Sequence, residues 1–138
     1  MISLTLAHRL DAAGVRWRPR AGDRFTLRTA EVAGEVFTVA DMVVEAREYP
    51  TGTLLAFNGT TEWALDSVQL EQALWLPRED QLRTLLGGTF ASLRRVDGGF
   101  AVRTTGPGGD QEFTEASAAD AYARALLALM AHATADAS

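Results

Sequence analysis

The sequence predicts an α+β fold, with an antiparallel β-sheet built from meanders and hairpins and the N- and C-terminal helices packed on one face. Two observations lead there. Apolar runs in the middle of the chain are separated by tight-turn dipeptides, most clearly Asn58-Gly59 and Asp97-Gly98, which tolerate the positive φ of a two-residue hairpin loop. Helix-start signals stand at Ser3, at Pro77 and at Ser117 with Asp120, each followed by apolar residues at helical spacing.

Taken in order, Ser3 caps a helix over Leu4 to Ala13, with Ile2, Leu6, Leu10 and Ala13 on one stripe and Gly14 at its end. Val15 and Trp17 alternate with Arg16 and Arg18, which predicts a short half-buried strand before Pro19 and Gly22 turn the chain. A strand at Arg24 to Arg28 follows, then extended segments at Glu35 to Val39 and Met42 to Glu48. Pro50-Thr51-Gly52 turns the last of these into a meander with Thr53 to Phe57 and Thr60 to Leu65. With Asn58-Gly59 as the loop, Leu55 pairs with Glu62 and Leu54 with Trp63. Leu54, Ala56, Trp63 and Leu65 then form the core side. A three-residue first turn sets Arg47 and Glu45 across from Leu55 and Phe57, on the face of Glu62.

Asp66 and Gln69 form a capping-box pattern for a short helix toward Leu74. Pro77 opens the next helix, whose inner stripe is Leu82, Leu85 and Leu86, with Glu79 and Asp80 near the positive end of its dipole. Gly87-Gly88 ends it. Thr89 to Val96 and Phe100 to Thr105 form a second hairpin in which Leu93 pairs with Val102, and a short strand lies near Gln111 to Thr114. The final helix runs to about His132 on a stripe of Ala121, Tyr122, Ala125, Leu126, Leu129 and Met130. The chain is read as one domain over 1–134 with a frayed tail at 135–138. Two small sheet-plus-helix halves meeting near Trp75 are the alternative.

Composition removes several kinds of chemistry. The absence of cysteine excludes disulfides, thiolate metal sites and cysteine nucleophiles. All 13 basic residues are arginine and the net charge is -5, which argues against a general nucleic-acid binder, because such binding needs many phosphate contacts. Residues 1–28 hold Arg9, Arg16, Arg18, Arg20, Arg24 and Arg28 against Asp11 and Asp23, whereas 31–80 are strongly acidic, so a basic patch and an acidic surface are expected side by side. No apolar run is long enough to span a bilayer, and a cytoplasmic location is the expectation.

Few residues carry candidate chemistry. Leu55, Phe57, Glu62 and Arg47 are the expected binding surface for a protein partner. Arg16, Arg18, Arg20 and Arg24 around Trp17 form a candidate basic patch, the third reading being a weak nucleic-acid contact. Glu45, Glu62 and Asp66 are the carboxylates of an alternative, a small acid–base enzyme. His8 and His132 have no neighbouring ligand at metal spacing and are read as ordinary surface or packing residues; no metal and no cofactor are expected. Gly106-Pro107-Gly108-Gly109 is a turn and lacks the Gly-Lys-Ser/Thr of a phosphate loop.

Leu4 to Leu10 with Ala13-Gly14, Trp75-Leu76-Pro77 with Gln81-Leu82, and the alanine-leucine stretch from Ala118 to Leu129 resemble a loose group of small bacterial and phage proteins. The segments Phe57 to Ser67 and Trp75 to Leu82 are more closely similar to short actinobacterial-type proteins labelled pilus assembly proteins. The resemblance implies no ATPase activity, because the phosphate loop of the ATPases that share this label is missing here, and it brings no catalytic residue. The residues taken together lead to the expectation of a non-enzymatic interaction or adaptor module, for which the resemblance implies a phage or mobile-element ancestry.

Overall fold

The structure, a computed structural model, describes residues 1–28, 35–39, 43–49, 52–57, 67–69 and 72–137, with positions 43–69 and 134–137 described through the backbone alone. Its elements are α1 (Leu4–Ala12), β1 (Arg24–Leu27), β2 (Phe37–Thr38), β3 (Val43–Tyr49), β4 (Gly52–Phe57), β5 (Ser67–Gln69), β6 (Ala73–Leu76), α2 (Glu79–Leu86), β7 (Phe90–Val96), β8 (Gly99–Thr104), β9 (Gln111–Glu115) and α3 (Ala118–Ala137). This is an α+β protein with antiparallel strands throughout the described sheets. The chain forms two compact units, one of Met1–Arg16 with Pro77–Ser138 and one of Trp17–Leu76.

In the first unit the sheet has the order β7-β8-β9, and α3 packs on β8 and β9 while also touching α1 and α2. The expected hairpin forms in the expected register: Asp97 and Gly98 make the turn, Gly98 has φ +80°, and Leu93 stands opposite Val102. Val102 is fully buried, but Leu93 stays 37% exposed. The reason is position, since β7 is an edge strand and α3 covers its two neighbours.

Helix ends follow their local chemistry. Ser3 Oγ accepts from the Leu6 N–H at 3.3 Å, so α1 starts as expected. Asp120 serves two helices: its N–H donates to Ser117 Oγ at 3.1 Å, and its Oδ1 accepts from the Ser3 N–H at 2.7 Å. A carboxylate beside two helix starts also complements both dipoles. Pro77 precedes α2 rather than opening it; Arg78 is the N-cap, and its N–H donates to Gln81 Oε1 at 2.9 Å. Leu82 and Leu86 are buried there, whereas Leu85 is exposed, so the inner stripe is narrower than the leucine spacing predicts. Helix α3 extends past His132 to Ala137.

In the second unit β1 lies between β2 and β6. Phe25, Leu27, Val39 and Ala73 form its core, with Trp17 and Phe37 packed against them. Val15 to Arg18 make no ladder, although their burial alternates as expected. Trp17 instead donates from Nε1 to the buried carboxylate of Asp23 at 2.9 Å, and Asp23 also accepts from the Arg20 N–H at 3.0 Å. Within the stretch of the expected helix, Ser67–Gln69 and Ala73–Leu76 are instead the strands β5 and β6. Pairing of Ala73–Leu76 with the apolar β1 outweighs a local capping pattern, as tertiary context commonly does.

The third set of strands has the order β3-β4-β5. Arg47 stands opposite Leu54 and Leu55 opposite Ala46, one residue away from the expected register. On the other side of β4, Leu55 pairs with Val68 rather than Glu62, and Leu54 with Gln69 rather than Trp63. Asn58, Gly59, Glu62, Trp63 and Asp66 lie outside the described residues.

Gly99 tests the sheet of the first unit. A Cβ there would lie 2.1 Å from the Glu115 carbonyl oxygen, a backbone atom that cannot give way, whereas a Cβ on Gly88 meets nothing within 4 Å. Gly99→Ala is expected to destabilise the protein by about 1–3 kcal/mol, and Gly88→Ala to stay within about 0.5 kcal/mol of wild type. Urea denaturation of both variants measures the contrast.

Candidate functional site

The site with the most developed geometry lies within the first unit, between the C-terminal half of α3 and the turn at Gly106–Gly109. It is a groove of about 380 Å³. Ala125, Ala128, Leu129, Ala131 and His132 of α3 form one wall, and Thr89, Thr104, Thr105 and Gln111 form the other. Gly106, Pro107, Gly108 and Gly109 make the rim.

Local structure explains the opening. Gly109 N–H donates to the Gly106 carbonyl at 2.8 Å, closing the rim into a tight turn. Thr105 N–H donates to the Thr89 carbonyl at 2.8 Å, which ties the end of β8 to the start of β7. Because Ala125 and Ala128 are small and the rim is mostly glycine, side chains do not fill the space between helix and turn. A helix with larger residues at those two positions would close it.

The lining sets what the groove can do. The Thr89 hydroxyl donates to the Leu86 carbonyl at 2.7 Å, so toward the groove it offers acceptor lone pairs. Thr104, Thr105 and Gln111 add hydroxyl and amide groups, and Ala125, Ala128 and Leu129 give an apolar floor. His132 is half-buried, and its Nδ1 lies 3.8 Å from where a Cβ on Gly108 would stand. Among the described residues it is the single ionisable side chain of the lining. Asp110, beside the rim, is held by Arg103 at 2.9 Å. The described lining is made of hydroxyl, amide and small apolar groups with His132 and no carboxylate, which equips it for neutral hydrogen bonds and small apolar contacts.

His132 was not legible as a site residue, since its partners in the groove are remote in sequence. The available signal was the stripe of Ala125, Ala128 and His132 on one side of α3 together with a Gly-Pro-Gly-Gly turn.

Those of the residues singled out from sequence that are described lie on β3, on β4 and in the segment from Arg16 to the first residue of β1. Adjacent rungs of a ladder alternate between the two sheet faces, so Arg47 and Glu45, opposite Leu54 and Ala56, fall on the other face from Leu55 and Phe57. The ladder between β3 and β4 thus differs by one residue from the expected register. Glu45 remains on β3, while Glu62 and Asp66 lie outside the described residues. Arg16, Arg18 and Arg20 are exposed and Arg24 is half-buried, with Trp17 turned inward against Phe25 at 5.3 Å between ring centroids. Trp17 is thus committed to the core of its unit and does not offer a stacking platform.

A second cluster in the first unit is structural in its chemistry. Phe90 stacks on Tyr122 at 5.7 Å between centroids, and the Arg83 guanidinium lies 4.2 Å above the Phe90 ring. Burial pushes the Tyr122 phenol above its ordinary value, against the lowering effect of Arg83.

No protein-family model, curated protein or solved structure matches the chain. No helix of the described residues is long and apolar enough to cross a membrane.

The raised phenol of Tyr122 has a consequence for stability. The folded state binds that proton more tightly than the unfolded chain, whose phenol ionises at about pH 10. Stability is therefore complete below about pH 10 and falls as pH rises toward the elevated folded-state value. Urea unfolding at about pH 9 and about pH 11 should show a drop in wild type that is smaller in Tyr122→Phe.

Proposed function

We propose that this chain is a non-enzymatic interaction module that holds a short, uncharged segment of a partner polypeptide in the groove between α3 and the Gly106–Gly109 turn. The observation that carries this reading is the lining itself. A glycine rim lets a foreign main chain approach closely. Thr104, Thr105 and Gln111 match the hydrogen-bonding groups of peptide units, and the alanine floor accepts a small apolar side chain. With His132 as its one ionisable group, the groove favours neutral over strongly charged occupants. The volume is at the lower end of the range typical of pockets for small ligands, about 300–1,000 Å³.

The carboxylate alternative has less support. Glu45 is assigned a rung opposite Ala56, and its two proposed companions lie outside the described residues.

The test is an amide-resolved NMR titration of the full chain with short capped peptides of alanine, serine and valine. Shifts are expected at Gly106, Gly108, Gln111, Ala128 and His132. Ala128→Phe fills the groove from a half-buried position and should weaken binding about tenfold or more while the thermal midpoint is kept. Shifts centred elsewhere, or binding indifferent to Ala128→Phe, would reject the groove.

A further inference from the structure

The edge of the first unit's sheet carries a second kind of recognition. Among the described residues, strand β7 has a neighbour on one side only, because the sheet order is β7-β8-β9. Its outer side presents a row of main-chain groups able to pair with another strand. Ala91, Leu93, Arg94 and Arg95 are exposed along it. The strand contains no proline and no acid. At its start, Phe90 lies under the exposed Arg83. The result is an open strand with an accessible leucine between positive groups.

We infer that β7 pairs with an acidic, extended segment of a partner protein, which adds to the sheet as a further strand. Charge decides between the possible occupants. Two copies of β7 laid side by side would crowd the arginines of both copies along one seam, and like charges opposite each other are destabilising. A strand of alternating acidic and apolar residues places carboxylates on the face of Arg94 and an apolar residue against Leu93, on the face that Leu93 shares with Arg95. Arg94 already forms an exposed ion pair with Glu112, across β8. Such a surface pair contributes little to stability, so a partner carboxylate can share or replace it at small cost. The attraction is local, because the chain as a whole carries a net charge of -5. This surface is separate from the groove, and neither reading requires the other.

The probe is a short capped peptide of alternating glutamate and valine, titrated into the full-length chain and followed by NMR shifts and amide hydrogen exchange. Slowed exchange and shifts along β7 are expected, with affinity falling as sodium chloride is raised. The same peptide with lysine in place of glutamate should bind at least about tenfold more weakly. Replacing both arginines (Arg94→Gln with Arg95→Gln) should produce a comparable loss, and thermal melting should stay near wild type because both side chains are exposed. Leu93→Ser should weaken binding without changing its salt dependence. Equal binding of the lysine peptide, an unchanged affinity in the double variant, or protection confined to other strands would each overturn the inference. Should the double variant unfold, Arg94→Gln alone carries the same comparison, because Arg94 is on the face opposite Leu93, and an unchanged affinity and salt dependence there would overturn the inference.

Discussion

The close approach of α3 to its neighbours is the constraint on which the first unit depends. Ala118, Ala119, Ala121, Ala123 and Ala125 are all buried, together with Tyr122 and Leu126, so the first half of this helix is apolar almost all round. Such a helix belongs at the centre of a packed unit. Small side chains let α1, α2, β8 and β9 reach it from several directions, while Tyr122 and Leu126 supply volume. Larger residues at the alanine positions would force these elements apart, and interiors packed at crystal density tolerate such insertions poorly.

Alanines farther along the same helix produce the groove, where Ala128 and Ala131 line the space together with the buried Ala125. Toward its C-terminal half α3 is only partly covered, and the Gly106–Gly109 turn stands beside it with no side chains long enough to close the space. A residue choice that serves packing at one end of the helix thus leaves an opening at the other. Asp120 fixes the beginning of this arrangement, since its hydrogen bonds join the starts of α1 and α3. The groove is therefore carried by a helix whose origin is held by a charge-assisted contact and whose flank is buried, a suitable support for a binding site.

Polar satisfaction organises the second unit differently. Asp23 is buried, yet it accepts hydrogen bonds from the Trp17 indole and the Arg20 main chain, so the loop that leads into β1 is folded around a carboxylate. The Val39 N–H donates to the Asp23 carbonyl at 2.8 Å, which ties β2 to the same point. This explains why an alternating Val-Arg-Trp-Arg segment behaves as a half-buried loop. Burial alternation requires an extended chain, whereas a strand also requires a ladder partner, and Trp17 finds its partner through its side chain.

Much of the fold was legible in short-range patterns. The cap at Ser3, the Asp97-Gly98 hairpin with Leu93 opposite Val102, the helix start at Ser117 and the alanine-leucine face of α3 all follow from residues within a few positions of one another, where local sterics and hydrogen bonding decide the outcome. What depended on distant residues was not legible. A one-residue slip between β3 and β4 reverses which side chains share a face, and only pairing in three dimensions chooses the register. Likewise, Asp66 to Leu74 carried a helix signal, yet β6 gains more by pairing with β1. The groove needed β8, the glycine turn and His132 to be brought together by folding. The sequence by itself determined the class of fold and the ends of its helices, because those are set by neighbours along the chain. The tertiary structure alone decided strand register, the exposed edge at β7 and the site beside α3, because those are set by contacts between residues far apart in the chain.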